Sequence, residues 1–335
     1  MKLANLSKAG GFAAATALLL TACGASNTGG GEAGSGEEAG APEGGDSSAW
    51  GDCTPGATSA DATELDPAGG DLTIGAFTGW DESYATAHLL KAVLEEDGYS
   101  VTIDSYEAGP GYTGLAEGDI DLLTDTWLPL THADYIEQFG DDIEAQGCWY
   151  DNAVLTFAVN EDSPAQSIAD LPDLADEYGN RIVGIEPGAG LTQITQEEVI
   201  PTYGLEDYEF ITSSTPAMLA ELDSAVESGE NILVTLWRPH WAYDAWPVRD
   251  LEDPEGALGE TEVIWNFSRG GFTEDDPYAA QLLNNLVLDD DQLASLQNLM
   301  MSDEHYGGED HDAAVAEWLE DNPEYADQLR AGELG

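Results

Sequence analysis

Basic residues are scarce in this sequence: 8 Lys and Arg stand against 67 Asp and Glu in 335 residues, a formal net charge of −59. Nucleic acids and anionic lipid surfaces are thereby excluded as partners, because long-range repulsion would oppose every encounter. Short catalytic signatures are also missing. No G-x-S-x-G, H-E-x-x-H or C-x-x-C occurs, and with so many acids any pair of carboxyl groups can be imagined as a glycosidase dyad, so a secreted carbohydrate-active hydrolase has no specific support. The apolar run Gly10–Leu20 is too short to cross a bilayer as a mature helix. Yet 42% of the chain is hydrophobic, with regular apolar periodicity, which is the pattern of a folded protein under a carboxylate-covered surface rather than of a disordered acidic tail. Molar salt would screen that self-repulsion, since the Debye length falls to ~3 Å at 1 M, and a halophilic source is the expectation.

What is present begins with export. Lys2 and Lys8 precede the short apolar run, which ends in Leu20-Thr21-Ala22-Cys23. A basic start, an apolar core and small residues before the processing point describe a secretory signal. L-T-A-C resembles the lipobox of bacterial lipoproteins, which implies lipidation at Cys23 and a place on the outer face of the cell membrane; an ordinary cleaved signal is the alternative. The expected divisions are therefore a signal peptide over 1–22 and a Gly/Ser/Glu-rich tether over 23–70. Cys53 and Cys148 remain, and an exported protein can keep them as a disulfide or as two free thiols.

From Asp71 the chain alternates short apolar strands with helical periodicity. Strands are predicted at 71–77, 100–106, 120–123 and 153–159, and again at 181–185, 209–212 and 231–236, with helices between them. Asp81 is expected to cap the first helix, and Pro201 to end or kink the helix predicted over 191–203. Strand, helix, strand in succession implies parallel sheets with both faces covered, in two α/β lobes around a cleft. The stretch 161–163 is the expected crossing, giving lobe one at 71–160, lobe two at 161–262 and C-terminal helices at 263–335. Asp289–Asp291 reads as a helix cap. Gly109-Pro-Gly-Tyr-Thr-Gly114 fits G-x-G-x-x-G, but the next strand follows too soon for a dinucleotide unit. His305, Glu309, His311 and Asp312 read as a solvated acidic loop, and neither a metal ion nor a cofactor is expected.

Three strands end in an indole. Trp80 follows LTIGAFTG, Trp127 follows the strand at Ile120 and Trp237 follows NILVTL. Tryptophan faces carry negative quadrupole potential, and several of them around a desolvated cation contribute ~2 kcal/mol each, the use made of aromatic cages for quaternary ammonium groups. A zwitterion also needs its anion held. Glu186-Pro-Gly-Ala-Gly190-Leu191 puts glycines where a strand turns into a helix, so backbone N–H groups can face a carboxylate, and His132 can donate another hydrogen bond.

The segments TGWDES, EAGPGYTGLAEGDID, TWLPLTHADY, GIEPGAGL and TLWRPHW, in that order from Asp71 to the C-terminus, strongly resemble the glycine betaine/proline betaine-binding proteins of ABC importers. The resemblance implies a two-lobed periplasmic-binding-protein-like α/β fold of type II with the ligand in the interlobe cleft. It implies a trimethylammonium box of Trp80, Trp127 and Trp237, and a ligand carboxylate held by the Gly190 and Leu191 amides and by His132. It also implies C-terminal helices that return to lobe one, since the first-lobe motifs precede the glycine turn. The implied partners are a small zwitterion and, through the permease, an importer with its ATPase; the binding protein itself is expected to be a monomer. Arg238 sits beside a cage tryptophan, and alternation along an extended chain turns it away from the box. His240 and Trp241 are expected to pack beneath the site.

Overall fold

The structure is a computed structural model that describes residues 47–335. The expected signal peptide 1–22, Cys23 and the first part of the tether lie outside the described residues. In chain order the first half holds β1 (Gly70–Phe77), α1 (Asp81–Glu96), β2 (Tyr99–Tyr106), α2 (Ala108–Glu117), β3 (Leu122–Leu128), α3 (Ala133–Phe139) and β4 (Ile143–Asn160). The second half continues with β5 (Arg181–Val183), α4 (Gly190–Ile194), α5 (Ile200–Tyr203), β6 (Glu209–Ile211), α6 (Thr215–Ser228) and β7 (Leu233–Arg238). Next come α7 (Ala242–Ala245), β8 (Val248–Asp250), β9 (Glu262–Arg269), α8 (Phe272–Asp275), α9 (Pro277–Asn285), α10 (Asp290–Met301), α11 (His311–Asp321) and α12 (Tyr325–Ala331).

The strands are ordered β2-β1-β3-β9-β4-β7-β5-β6, with β8 beside β4. β1 lies parallel to β2 and β3, and β5 parallel to β6 and β7, as right-handed strand–helix–strand crossovers require. The expectation of purely parallel sheets is corrected at the centre, where β9 is antiparallel to both β3 and β4, and β4 is antiparallel to β7. The reason is topological. β4 carries the chain out of the first sheet and β9 brings it back, so two neighbouring strands must run in opposite senses.

β4 explains a second difference. Residues 143–153 of this strand pair with β9, residues 154–159 with β7, and residues 158–160 also with β8. The passage from one sheet to the other therefore falls inside a strand, upstream of the expected turn at 161–163. The exposed pair Asp151-Asn152 breaks the buried pattern where the strand changes sheets, but two polar residues do not say which partner strand lies on either side of them. Helices α10 and α11 pack on α1, α9 packs on β4, and α12 packs on α9, so the C-terminal helices cover the first sheet.

The tether expected over 23–70 also needs correction in its described part. Trp50 meets the edge of Trp265 with ring centroids 5.0 Å apart, Ala62 is fully buried, and a disulfide joins Cys53 to Cys148. The amide side chain of Asn285 accepts from the Ala60 N–H at 2.9 Å and donates to the Ala60 carbonyl at 2.8 Å. A few anchors thus overcome the entropy of a polar, glycine-rich stretch that composition alone would leave free. In the second sheet's flank, the helix predicted over 191–203 ends where expected, with Pro201 in its last turn. The helix runs on to Tyr203 through a π turn at Thr195–Val199, which relieves the hydrogen bond and the space that a proline denies to a regular α-helix.

Candidate ligand-binding site

Trp80, Trp127 and Trp237 converge on one small cavity between the two sheets. Each arrives by a different local device. Gly79, at φ +83°, lets the chain turn off β1 so that Trp80 stands directly before α1; only glycine takes that conformation without strain. Trp127 is the penultimate residue of β3 and Trp237 the penultimate residue of β7. All three are buried. His132, Thr131, Gly190 and Leu191 line the same cavity, with Leu155, Ile185 and Ala189 closing its apolar side. Every residue singled out from the sequence for the cage and for the carboxylate is therefore in one place.

The turn from Trp127 to His132 is closed at both ends. The Trp127 backbone N–H donates to His132 Nδ1 at 2.9 Å, and the His132 N–H donates back to the Trp127 carbonyl at 3.0 Å. Glu262, the first residue of β9, accepts from the Leu130 N–H at 2.7 Å and the Thr131 N–H at 2.9 Å, and also takes the Thr131 hydroxyl. These bonds fix the imidazole's chemistry as well as its place. Nδ1 accepts, so a neutral ring must carry its proton on Nε2. Burial pushes the His132 pKa down to about 3, so the ring is neutral throughout the physiological range. Its Nε2–H is buried and has no partner among the described residues, although a buried donor without an acceptor costs ~1–3 kcal/mol. A ligand acceptor reaching that point would remove the cost.

Opposite His132, α4 begins at Gly190. The first N–H groups of a helix have no acceptor within it, and Gly190 and Leu191, the first two residues of α4, line the cavity. Gly190 also sets how closely the two halves approach, because a Cβ there would sit 2.0 Å from the Thr131 carbonyl oxygen. Further bonds cross the same seam. Tyr135 donates its hydroxyl to the Gly188 carbonyl at 3.1 Å, Gln193 donates to Asp134 at 3.3 Å, and the Trp241 indole N–H donates to Asp81. The cleft is closed in this structure.

Three acids at the site were not singled out from the sequence. Asp81, expected as a helix cap, makes no capping bond; Trp80 takes the N-cap position, and the Asp81 carboxylate instead receives the Trp241 indole N–H with His240 Nε2 3.6 Å away. Glu82, 1% exposed, lines the cavity and leaves Oε2 unpartnered. Asp125 is fully buried in β3 and accepts the Trp127 indole N–H at 2.8 Å. Burial raises Asp81 and Asp125 to about 7 and Glu82 well above its ordinary value, the last also through the nearby Asp125 charge. The Trp237 indole N–H faces Glu82 and favours its ionised form, but falls short of hydrogen-bond geometry, so Trp237 Nε1 stays unpartnered. The usable signal was Asp125, an acid inside the buried strand LLTDTWL; among 67 acids it does not stand out.

Other sequence features lie elsewhere. Arg238 turns outward, donating to Asp250 at 2.7 Å with its guanidinium 3.5 Å from the centre of the Tyr243 ring. His240 and Trp241 pack under the cage, the His240 ring edge-on to Trp237 at 4.6 Å. In the G-x-G-x-x-G stretch, Gly111 and Gly114 let α2 settle onto Phe77 and Ile120, where a Cβ would come within 2.8 and 2.9 Å of those side chains. His311 and Asp312 face His88 and Lys91, and no three potential metal ligands come together among the described residues.

Residues 70–321 match the family model described as the substrate binding domain of ABC-type glycine betaine transport systems. A glycine betaine/carnitine transport binding protein of Listeria monocytogenes is 34% identical over 154 residues, 45% of this chain; the match spans about half of that relative, 49% of its length. The closed lactococcal protein crystallised with glycine betaine superposes with a TM-score of 0.71 at 25% identity, covering 77% of this chain and 98% of that one. A choline-binding protein in complex with choline gives the same TM-score and identity over 78% and 92% of the two chains. The chain belongs to the family of substrate-binding domains of ABC-type glycine betaine transport systems, with the two-lobed fold of periplasmic binding proteins.

Proposed function

We propose that this protein captures glycine betaine, or a close quaternary-ammonium relative, outside the cell and presents it to the permease of an ABC importer whose ATPase drives uptake. Trp80, Trp127 and Trp237 hold the trimethylammonium group by cation–π attraction, which is strongest where water is excluded. The carboxylate takes the Nε2–H of His132 and the backbone N–H groups of Gly190 and Leu191. The observation that carries this assignment is the buried, unpartnered Nε2 of His132, a residue that lines the same cavity as Gly190 and Leu191 at the start of α4. A cation site alone would need neither donor set. The ligand bridges residues from both sheets, so its binding favours the closed form over the open one by the difference in its contacts with the two.

The family and the sequence support the rest of the proposal. The protein acts as a monomer, exported and held at the outer face of the membrane by lipid on Cys23. It catalyses no reaction, and its ligand serves as a compatible solute taken up under salt stress. A choline or carnitine importer is the second candidate, supported by the likeness to a choline-bound relative. Choline would fill the cage and leave the His132 and α4 donors without an anion. Calorimetry with glycine betaine, carnitine and choline separates these ligands. Glycine betaine is expected to bind tightest; choline binding tighter would move the assignment to a choline importer, and any turnover of a quaternary amine would overturn the pure binding role.

A further inference from the structure

Two buried carboxyl groups stand next to the cage with nothing cationic beside them. Glu82, on the first turn of α1, lines the cavity with Oε2 unpartnered, and Asp125, on β3, leaves Oδ2 unpartnered while its other oxygen holds the Trp127 indole. The titratable groups around them offer no compensating charge. Asp81 on the same helix turn is an acid engaged by Trp241. Tyr112 from α2 donates its hydroxyl to Thr126 at 2.8 Å. His132 and His240, from the loops after β3 and β7, are held neutral by burial, and Glu186 after β5 is taken up by the Thr215 N–H at 2.7 Å and hydroxyl at 3.0 Å. Among the described residues, no lysine or arginine lines the cavity. α1 and β3 meet at this point, where Thr86, one turn on from Glu82, shares a 2.7 Å hydrogen bond with Thr124, the residue before Asp125; two carboxylates so placed without a cation cannot both ionise cheaply, so at least one proton stays with them.

We propose that Glu82 and Asp125 form a proton-linked acid pair beneath the aromatic cage, which gives up a proton when a quaternary ammonium group is seated. Resting on the proposed function, this deepens it: the positive end is recognised by carboxylate charge as well as by indole faces, and capture is pH-dependent. The exchange is balanced, since the carboxyl O–H breaks, its proton passes to solvent, and the fixed ammonium charge replaces it as counter-ion. Asp125 also acts as a positioning residue, because the ionised form is the better acceptor for the Trp127 indole N–H.

The sign follows from linkage. A group that loses its proton on binding makes affinity rise with pH until the unliganded site has ionised, by at most about tenfold per pH unit for one proton. Titration calorimetry of the full chain with glycine betaine, at pH 6, 7 and 8 in buffers of different ionisation heat, reads both the affinity and the protons released. Affinity is expected to rise about tenfold or more between pH 6 and pH 8, with proton release near neutrality. Glu82→Gln should bind more weakly at pH 8, release fewer protons and show a flatter profile, and Asp125→Asn provides the same test if the first variant folds poorly. Glycine betaine that binds with pH-independent affinity and no proton release overturns the pair and leaves the proposed function standing. Failure of every quaternary amine to bind at any pH overturns both.

Discussion

The loop after β3 and the loop after β7 share one outline. In each, a tryptophan ends the strand, a cis prolyl bond follows at Leu128-Pro129 or Arg238-Pro239, and a buried histidine comes next. In each the histidine Nδ1 accepts a backbone N–H, that of Trp127 at 2.9 Å for His132 and that of Ala242 at 3.0 Å for His240. Both rings are pushed by burial to a pKa of about 3 and so stay neutral donors at Nε2. The difference lies in what that donor meets. Both Nε2 atoms are buried without a hydrogen-bond partner among the described residues, but His132 lines the cavity, whereas His240 lies off it, its Nε2 3.6 Å from the Asp81 carboxylate and its ring edge-on to Trp237. Under the proposed function, the same residue type in the same local frame serves ligand recognition in one loop and support of the cage floor in the other. Recognition is decided by the space a donor faces, not by its own chemistry.

The sharpest way to separate the halves is to keep them from meeting. Gly190→Ala puts a methyl group where the Thr131 carbonyl lies, and it is expected to weaken glycine betaine about a hundredfold, ~3 kcal/mol of lost closure, with unchanged circular dichroism. Next, Trp127→Leu and Trp237→Leu each remove one indole face while keeping apolar bulk. Each should weaken betaine and choline alike by tenfold or more, and an unchanged affinity would put that ring outside the cage.

The histidine comparison gives a finer contrast. His132→Gln should cost betaine about tenfold or more, the worth of a hydrogen bond to a charged group of ~1.5–3 kcal/mol, and leave choline nearly untouched. His240→Gln should affect the two ligands equally, and a betaine-selective loss there would erase the distinction between the loops. The smallest effect on binding belongs to the N-terminal strap. Cys53→Ser with Cys148→Ser opens a link across 95 residues and should lower unfolding stability by ~2–4 kcal/mol, read as a lower melting temperature, with the affinity for betaine unchanged.

The sequence made some of this legible for physical reasons. Tryptophan at the end of a short apolar strand is rare enough to be noticed, and a glycine turn ahead of a helix implies free N–H groups, so Trp80, Trp127, Trp237, Gly190 and Leu191 could be named together. His132 was accessible because it follows one of those rings across a short turn. Glu82, Asp81 and Asp125 were not, since 67 acids hide the few that are buried. The passage between sheets inside β4 and the antiparallel place of β9 depend on long-range pairing, which local periodicity does not encode. The fold of residues 50–69 onto the first sheet depends on one disulfide and a few distant partners, and composition alone pointed the other way.

The most direct test is a crystal structure of the protein with glycine betaine. The trimethylammonium group should lie among Trp80, Trp127 and Trp237 next to Glu82, with a carboxylate oxygen within hydrogen-bond distance of His132 Nε2 and of the Gly190 or Leu191 nitrogen. A betaine carboxylate pointing away from His132, or a ligand bound outside the three rings, would contradict the account.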